Sequence, residues 1–398
     1  MNLRVIRPTY YTLNCTGTSY WMVLGGLALM VVNGIFFARS MEHEGHWITG
    51  MSNQVVWGVP HLFAIFLIVT ASGVLNVASI SSVFGKKEYQ AWGRLSGLLA
   101  VTLLVGGLLV LVLDLGRPDR LIIAMTHYNF KSIFAWNIFL YTGFLLVVAV
   151  YLWMMFEPRM NRFTRASGTL AFTWRIVLTT GTGSIFGFLV ARQAYDTALM
   201  APLFIAMSLS LGTAFFMIFL CVLYNRPSTG VDPRPVLERL ARLTGIFILS
   251  VLFFTALFHL TRLYGAENHG FEQFILVEGG LYTVLFWAGH VIAGSLIPLY
   301  LLFYSGPGST GRLVIASTLI IVGGFAHLYV IIIGGQAYPL EMFPGKVVSS
   351  GFFDGVVAGY HPSIAEVSLG AGGVAFSILA SLLAMRVLPF LPGDAVSG

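Results

Sequence analysis

The chain has 398 residues, 57% of them hydrophobic and only 10% charged, whereas a soluble domain carries about 25% charged residues. A soluble protein this apolar would expose large aggregating patches, which excludes a soluble fold. The formal charge of +6 comes without a basic stripe, so it argues against nucleic acid, and the isolated Cys15 and Cys221 argue against a disulfide framework or an in-chain metal cluster.

A membrane span needs about 20 mostly apolar residues, and the sequence supplies ten such runs. The expected fold is therefore an all-α integral membrane protein. The first run, Thr18–Ala38, follows Arg4, Arg7 and a polar stretch and reads as a retained signal-anchor rather than a cleaved leader. The next three are Val59–Ser81, Leu95–Leu113 and Ile133–Met155. Then come Thr169–Ala191, Ala201–Leu223, Leu243–Leu263, Leu281–Phe303 and Leu313–Ile333. Gly183 and Gly187 in the fifth run form a small-xxx-small packing stripe. The connection Gly334–Val367 is long and rich in Gly, Pro and aromatics, and is expected to fold against the bundle or a partner. Ser368–Leu388 is the last run.

Charge then predicts orientation. The amino-terminus, the even-numbered loops and the carboxy-terminus hold 14 of the 22 Lys and Arg but five of the 16 acids. That balance of +9 stands against −3 on the other side, with Arg175 counted there within its helix. Loops rich in Lys and Arg stay in the cytoplasm, so both termini are expected there.

Ionisable groups inside a bilayer are costly and usually face a bundle interior or cavity. Here His61, Asp114, Arg192, Asp196, His259, Arg262, His327, Gln336 and Tyr338 gather in the third of the membrane predicted to be periplasmic. A quinone headgroup needs hydrogen-bond partners for its oxygens, a proton route to water and an apolar slot for its tail, and such a cluster would supply them. The competing reading is that these residues snorkel, cap helices or pair with one another. Arg175, two turns into its helix, is expected to snorkel or pair, and His43, His46, His269 and His361 to be ordinary loop residues.

Three segments carry a family likeness: Trp57-Gly-Val-Pro-His61; Asp114-Leu-Gly-Arg-Pro-Asp-Arg120 with Asn129-Phe-Lys-Ser132 and Trp136; and Ala201-Pro-Leu-Phe-Ile-Ala-Met-Ser208. Together they resemble the NrfD/PsrC family of quinone-interacting membrane subunits. The text from Leu113 to Met155 and Thr179–Ala201 looks closest to the DsrP members, which belong to a DsrMKJOP sulfur-metabolism complex. The resemblance implies two four-helix bundles plus flanking helices, with helices two to five (about 55–192) forming the first and helices six to nine (about 200–335) the second. It implies a quinone, menaquinone or ubiquinone, as exchangeable substrate near His61, Asp114 and Tyr128, and no prosthetic group in this chain. His61 or Tyr128 would bond a quinone oxygen, and Asp114 would orient the site or accept a proton. Arg117 and Arg192 would hold charge at a partner interface or pair with Asp196. The implied partners are a periplasmic ferredoxin-like iron–sulfur subunit docked on the Asp114–Arg120 turn, a multihaem cytochrome c and further membrane subunits. Pro60-His61 departs from the polar residues that relatives place early in the second span.

Two rivals stand beside this reading. His259, His290 and His327 lie on consecutive spans, and two such histidines could ligate a haem b axially. Ten spans in two bundles would also suit a secondary transporter, although no paired Gly/Pro-broken helices stand out.

Overall fold

The computed structural model describes residues 9–15, 17–224, 232–303, 309–340 and 355–393. These wind into ten long helices: α1 (Thr18–Glu44), α2 (Val59–Ser82), α3 (Gly93–Leu113), α4 (Ile133–Phe156), α5 (Thr164–Gly187), α6 (Met200–Tyr224), α7 (Arg234–Tyr264), α8 (Leu281–Phe303), α9 (Thr310–Ala337) and α10 (Ile364–Val387). Nine of them are long and apolar enough to cross a membrane. The exception is α5, whose apolar run is diluted by Arg175 and by Thr, Ser and Gly. Its 24 residues still reach about 36 Å, enough to span, and it packs between α4 and α6. Large side chains such as Leu29, Phe36, Leu146, Phe253 and Ile292 project outward from the helices, as lipid contact requires.

The helices close two rings. Helix α2 packs on α3 and α5, and α4 joins α3 to α5; α6 packs on α7 and α9, and α8 joins α7 to α9. The rings meet where α2 crosses α6, and Gly73 and Gly212 make that crossing possible, because a Cβ on either would run into the backbone of the other helix. The Gly183/Gly187 stripe likewise faces backbone, at the start of α6 and the turn before it. Helices α1 and α10 pair with each other against the flank of α2 and α3.

Helix ends follow local chemistry. Helix α1 runs past its expected end to Glu44 and stops at Gly45, whose φ of 94° suits glycine. Helix α10 starts at a capping box of Ser363 and Glu366. The long connection before it is described only in part; its last stretch folds back on the bundle, with the Ala358 N–H donating to the Ala337 carbonyl and Tyr360 buried. Its residues 341–354 lie outside the described residues. Near the termini, Thr9–Tyr11 and Leu391–Gly393 pair as a two-stranded antiparallel ribbon, which puts these two segments on one face.

Arg175 neither snorkels nor joins an ion pair among the described residues. It is 1% exposed, and its Nη1 donates to the Ser72 carbonyl just before α2 is interrupted at Leu75. A break in a helix frees backbone acceptors that a buried guanidinium can satisfy.

Candidate functional site

One end of the first ring is built from the start of α2, the end of α3 and the turn between α1 and α2. Pro60 sits in the first turn of α2, where its missing N–H costs nothing, and presents His61 one residue later. Asp114 caps the C-terminus of α3 with its side chain 1% exposed. His61 Nδ1 donates to Asp114 Oδ2 at 2.9 Å. From the turn between α1 and α2, His46 Nε2 donates to the Asp114 carbonyl at 2.9 Å and lies 3.8 Å from Oδ1. Asp114 Oδ1 has no hydrogen-bond partner. Burial pushes the Asp114 pKa up, but hydrogen bonds from His46 and His61, and their charges, outweigh it and hold the carboxyl below its ordinary value. The Asp114 bond raises the His46 pKa, against the opposing effect of burial.

Beneath this triad a cavity of about 410 Å³ opens among α2, α3, α4 and α5, within the range of about 300–1,000 Å³ usual for small-molecule sites. Its walls are mostly apolar, including Ile65, Leu108, Leu111 and Ile138. Its polar lining is sparse and separated: His61 at one end, and Asn137, Tyr141 and Thr142 on α4. The Asn137 amide donates to the Ile133 and Gly181 carbonyls, while its buried Oδ1 has no partner. An acceptor in that state costs free energy unless something donates to it. Trp57 stacks on His61 with ring centroids 6.1 Å apart and meets Phe186 edge-on at 5.8 Å. Gln336, on the last turn of α9, holds that loop: Oε1 accepts from the Val56 and Trp57 N–H groups and Nε2 donates to the Trp57 carbonyl, each at 3.0 Å.

The sequence-predicted residues divide. His61 and Asp114 form the centre described above. Tyr128 is not among the residues lining the cavity; it stacks on Phe139 at 4.2 Å, while the short helix before it, Leu121–Thr126, covers the cavity with Leu121 and Met125. Arg117 is exposed at the turn before Pro118. Arg192 donates to the Gln336 and Gln54 carbonyls at 2.8 and 2.6 Å rather than pairing with Asp196. Asp196 itself adopts a φ of 54° in the turn between α5 and α6. His46 is no ordinary loop residue; Trp57, noted only as part of the family-like segment, and Asn137, not singled out, both line the cavity. A lone amide inside the apolar run of α4 was the available signal for Asn137.

The second ring holds its own polar cluster. Glu272, fully buried, accepts from His259 Nδ1 at 2.6 Å and from Arg262 Nε at 3.2 Å. His290 and His327 stack with centroids 3.8 Å apart and planes 20° from parallel. Axial haem ligands approach iron from opposite faces of the macrocycle, each through a ring nitrogen, so face-to-face rings cannot serve. The cavity shared by His259 and His327 is about 20 Å³, far too small for a haem. These histidines do not fit the haem reading.

With the geometry in place, similarity to known proteins is informative. Residues 47–339 match the family described as "Polysulphide reductase, NrfD". The chain is 27% identical over 365 residues to the Hdr-like menaquinol oxidoreductase integral membrane subunit of Archaeoglobus fulgidus, covering 91% of each. It is 27% identical to a putative membrane subunit of dimethyl sulfoxide reductase from Halobacterium salinarum, covering 96% of this protein and 94% of that one. It is 25% identical to a polypeptide of the polysulfide reductase of Wolinella succinogenes, covering 72% of this protein and 96% of that one. The matched residues reach from His46's neighbour Trp47 to Tyr338's neighbour Pro339, enclosing both rings and the cavity between α2 and α5: this multi-pass membrane protein belongs to the NrfD family.

Proposed function

We propose that this protein is the quinone-reactive membrane subunit of a multi-subunit oxidoreductase, exchanging electrons between the membrane quinone pool and a periplasmic iron–sulfur subunit. The observation that carries the reading is the cavity beside His61 and Asp114, apolar along most of its wall for a tail and polar at His61, Trp57, Asn137, Tyr141 and Thr142. Relatives named for a menaquinol oxidoreductase, a dimethyl sulfoxide reductase and a polysulfide reductase support it, and the first of these favours menaquinone over ubiquinone.

The ionised Asp114 takes the Nδ1–H of His61, leaving His61 Nε2 as an acceptor. A quinol hydroxyl donates to that nitrogen, and the other donates to Asn137 Oδ1. As the quinol gives up two electrons and two protons, His61 takes the protons one after the other at Nε2, the imidazolium being stabilised each time by the carboxylate 2.9 Å away. Each proton leaves past Asp114 to solvent on the side of His46, whose side chain is 31% exposed. Quinone reduction runs the same steps backward. The two electrons pass to or from the partner subunit, docked on the turn that carries Arg117, Asp119 and Arg120.

The membrane is the inner, cytoplasmic one, with both termini cytoplasmic, as the +9 against −3 asymmetry argues. The DsrP-like segments favour a role in dissimilatory sulfur metabolism, with a multihaem cytochrome c and further membrane subunits in the complex. A direct test follows tryptophan fluorescence of the full-length protein in lipid nanodiscs as a menaquinone analogue is added. Saturable quenching is expected, reduced by Trp57→Phe and shifted to weaker affinity by His61→Ala. Absence of saturable binding, or binding untouched by His61→Ala and Asn137→Leu alike, overturns the assignment.

A further inference from the structure

Buried polar atoms without partners are uncommon, and each calls for an explanation. In the second ring they form a series. Thr255 on α7, His327 and Ser317 on α9, His290 on α8 and Thr213 on α6 each bury a side-chain polar atom that has no hydrogen-bond partner. For His290 the atom is Nε2 and for His327 it is Nδ1.

The backbone explains why the two imidazoles meet. Gly294 and Gly323 bring α8 and α9 into backbone contact, since a Cβ on either would strike the other's Cα. Leu285–Leu296 is wound as a π-helix, a form often found at functional sites. That winding frees the His290 carbonyl to accept from Ser295 Oγ at 3.0 Å. The rings stack face to face, so their nitrogens point outward in the ring planes and cannot bond to each other. Any proton passing between them needs a bridging group at the ring edges.

Two cavities provide the room. One of about 20 Å³ is walled by His259, Thr255 and His327. Another of about 20 Å³ is walled by His327, His290, Ser210 and Ser295. Roughly 10–15 Å³ admits one water, provided the site offers two to four polar partners, and both sites do. His327 is the shared wall. At the outer end stands the buried Glu272, holding His259 and Arg262.

We propose that a short file of internal waters links the Glu272–His259 pair to the stacked His327 and His290, giving protons a path from the head of the second ring into the middle of the membrane. A proton arriving from His259 through the first water enters one nitrogen of His327 as another leaves the opposite nitrogen. The second water then hands it to His290 Nε2, leaving His327 neutral and His290 carrying the proton until it returns by the same steps. The charged and titratable groups around this path are Glu272, His259 and Arg262, with Asp196 acting on Arg262. Nothing in it requires a quinone.

The test is exchange of the histidine ring protons with deuterated water, followed by infrared spectroscopy on the full-length protein in nanodiscs with isotope-labelled histidine. His290→Phe and His327→Phe assign the two signals. Exchange of both rings within minutes is expected. Thr255→Leu, which fills the first cavity, is expected to slow both rings at least tenfold. Ser210→Val, which fills the second, is expected to slow His290 alone and serves if Thr255→Leu does not fold. Rings that exchange only over many hours in the unaltered protein, or rates unchanged in the filled variants, overturn the proposal.

Discussion

Replacing Asp114 by Asn keeps the shape of the cap and removes its charge. In the folded protein the carboxylate takes a hydrogen bond from His61 at 2.9 Å and stands 3.8 Å from His46, at a side chain 1% exposed. A hydrogen bond to a charged group is worth about 1.5–3 kcal/mol and a neutral one about 0.5–1.5 kcal/mol, so the His61 contact weakens by about 1–1.5 kcal/mol. If that stabilisation appears as the imidazolium of His61 forms, quinol oxidation falls roughly 5- to 12-fold. Quinone affinity, set mainly by the apolar walls, changes far less. The assay is steady-state quinol oxidation by the assembled complex, with quinone binding measured separately. Asp114→Asn is isosteric and leaves no cavity, so assembly is expected to be retained. An assembled complex with unchanged turnover would refute the proton-accepting role of the His61–Asp114 pair. A large loss of affinity with normal turnover at saturation would instead make Asp114 a binding group.

His46 contributes a pH signature. Its raised pKa means that its share of stability is fully present below the ordinary imidazole value of 6.5 and is lost as pH rises through the raised one. Asp114 has a lowered pKa, so its share is present above the ordinary 3.8 and lost as pH falls through the depressed value. The thermal midpoint of the unaltered protein should therefore exceed that of His46→Gln most at about pH 5–6, with the gap narrowing on either side. Gln336→Leu strands the N–H groups of Val56 and Trp57, at about 1–3 kcal/mol each, and should lower the midpoint and weaken Trp57 quenching together. Glu272→Leu leaves Arg262 as a buried unpaired charge, which costs about 3–5 kcal/mol. Because Arg262 also donates to the Tyr195 carbonyl and Asn268, the lower end is expected in a denaturation curve, with Glu272→Gln milder. A carboxy-terminal fusion should be active only as a cytoplasmic reporter; an active periplasmic phosphatase there would reverse the orientation.

Helices were legible because a bilayer enforces long apolar runs; α5, read as one of ten such runs, is the most diluted of them by polar and small residues. The dyad was legible in part. His61 and Asp114 each sit at a helix end, where an ionisable residue in an apolar context is conspicuous. His46 was missed because nothing local distinguishes a loop histidine that turns inward from one that faces water; its partner lies 68 positions away. Tyr128, which only the family resemblance had implied, is not among the residues lining the cavity: the short helix after α3 presents Leu121 and Met125 to it, and Tyr128 stacks on Phe139 instead. The Arg192–Asp196 pair failed because the guanidinium satisfies two carbonyls at once.

The two polar centres are joined by hydrogen bonds rather than by charge. Gln336 binds the Trp57 loop of the first ring, its carbonyl takes Arg192, and Arg192 also takes Gln54. A few residues on, the Tyr195 hydroxyl donates to Ile332 on α9 at 2.8 Å, and the Tyr195 carbonyl accepts from Arg262, which holds Glu272. Most of these links use backbone groups at helix ends, turns or irregular windings, where regular helical bonding leaves acceptors free. This explains why so many polar side chains collect at one depth. Most of them are needed to satisfy the turns that close both rings, whereas Asp114 and Asn137 keep unused hydrogen-bonding capacity at or beside the cavity of about 410 Å³ that His61 also lines. The surplus, rather than the polarity, marks the site.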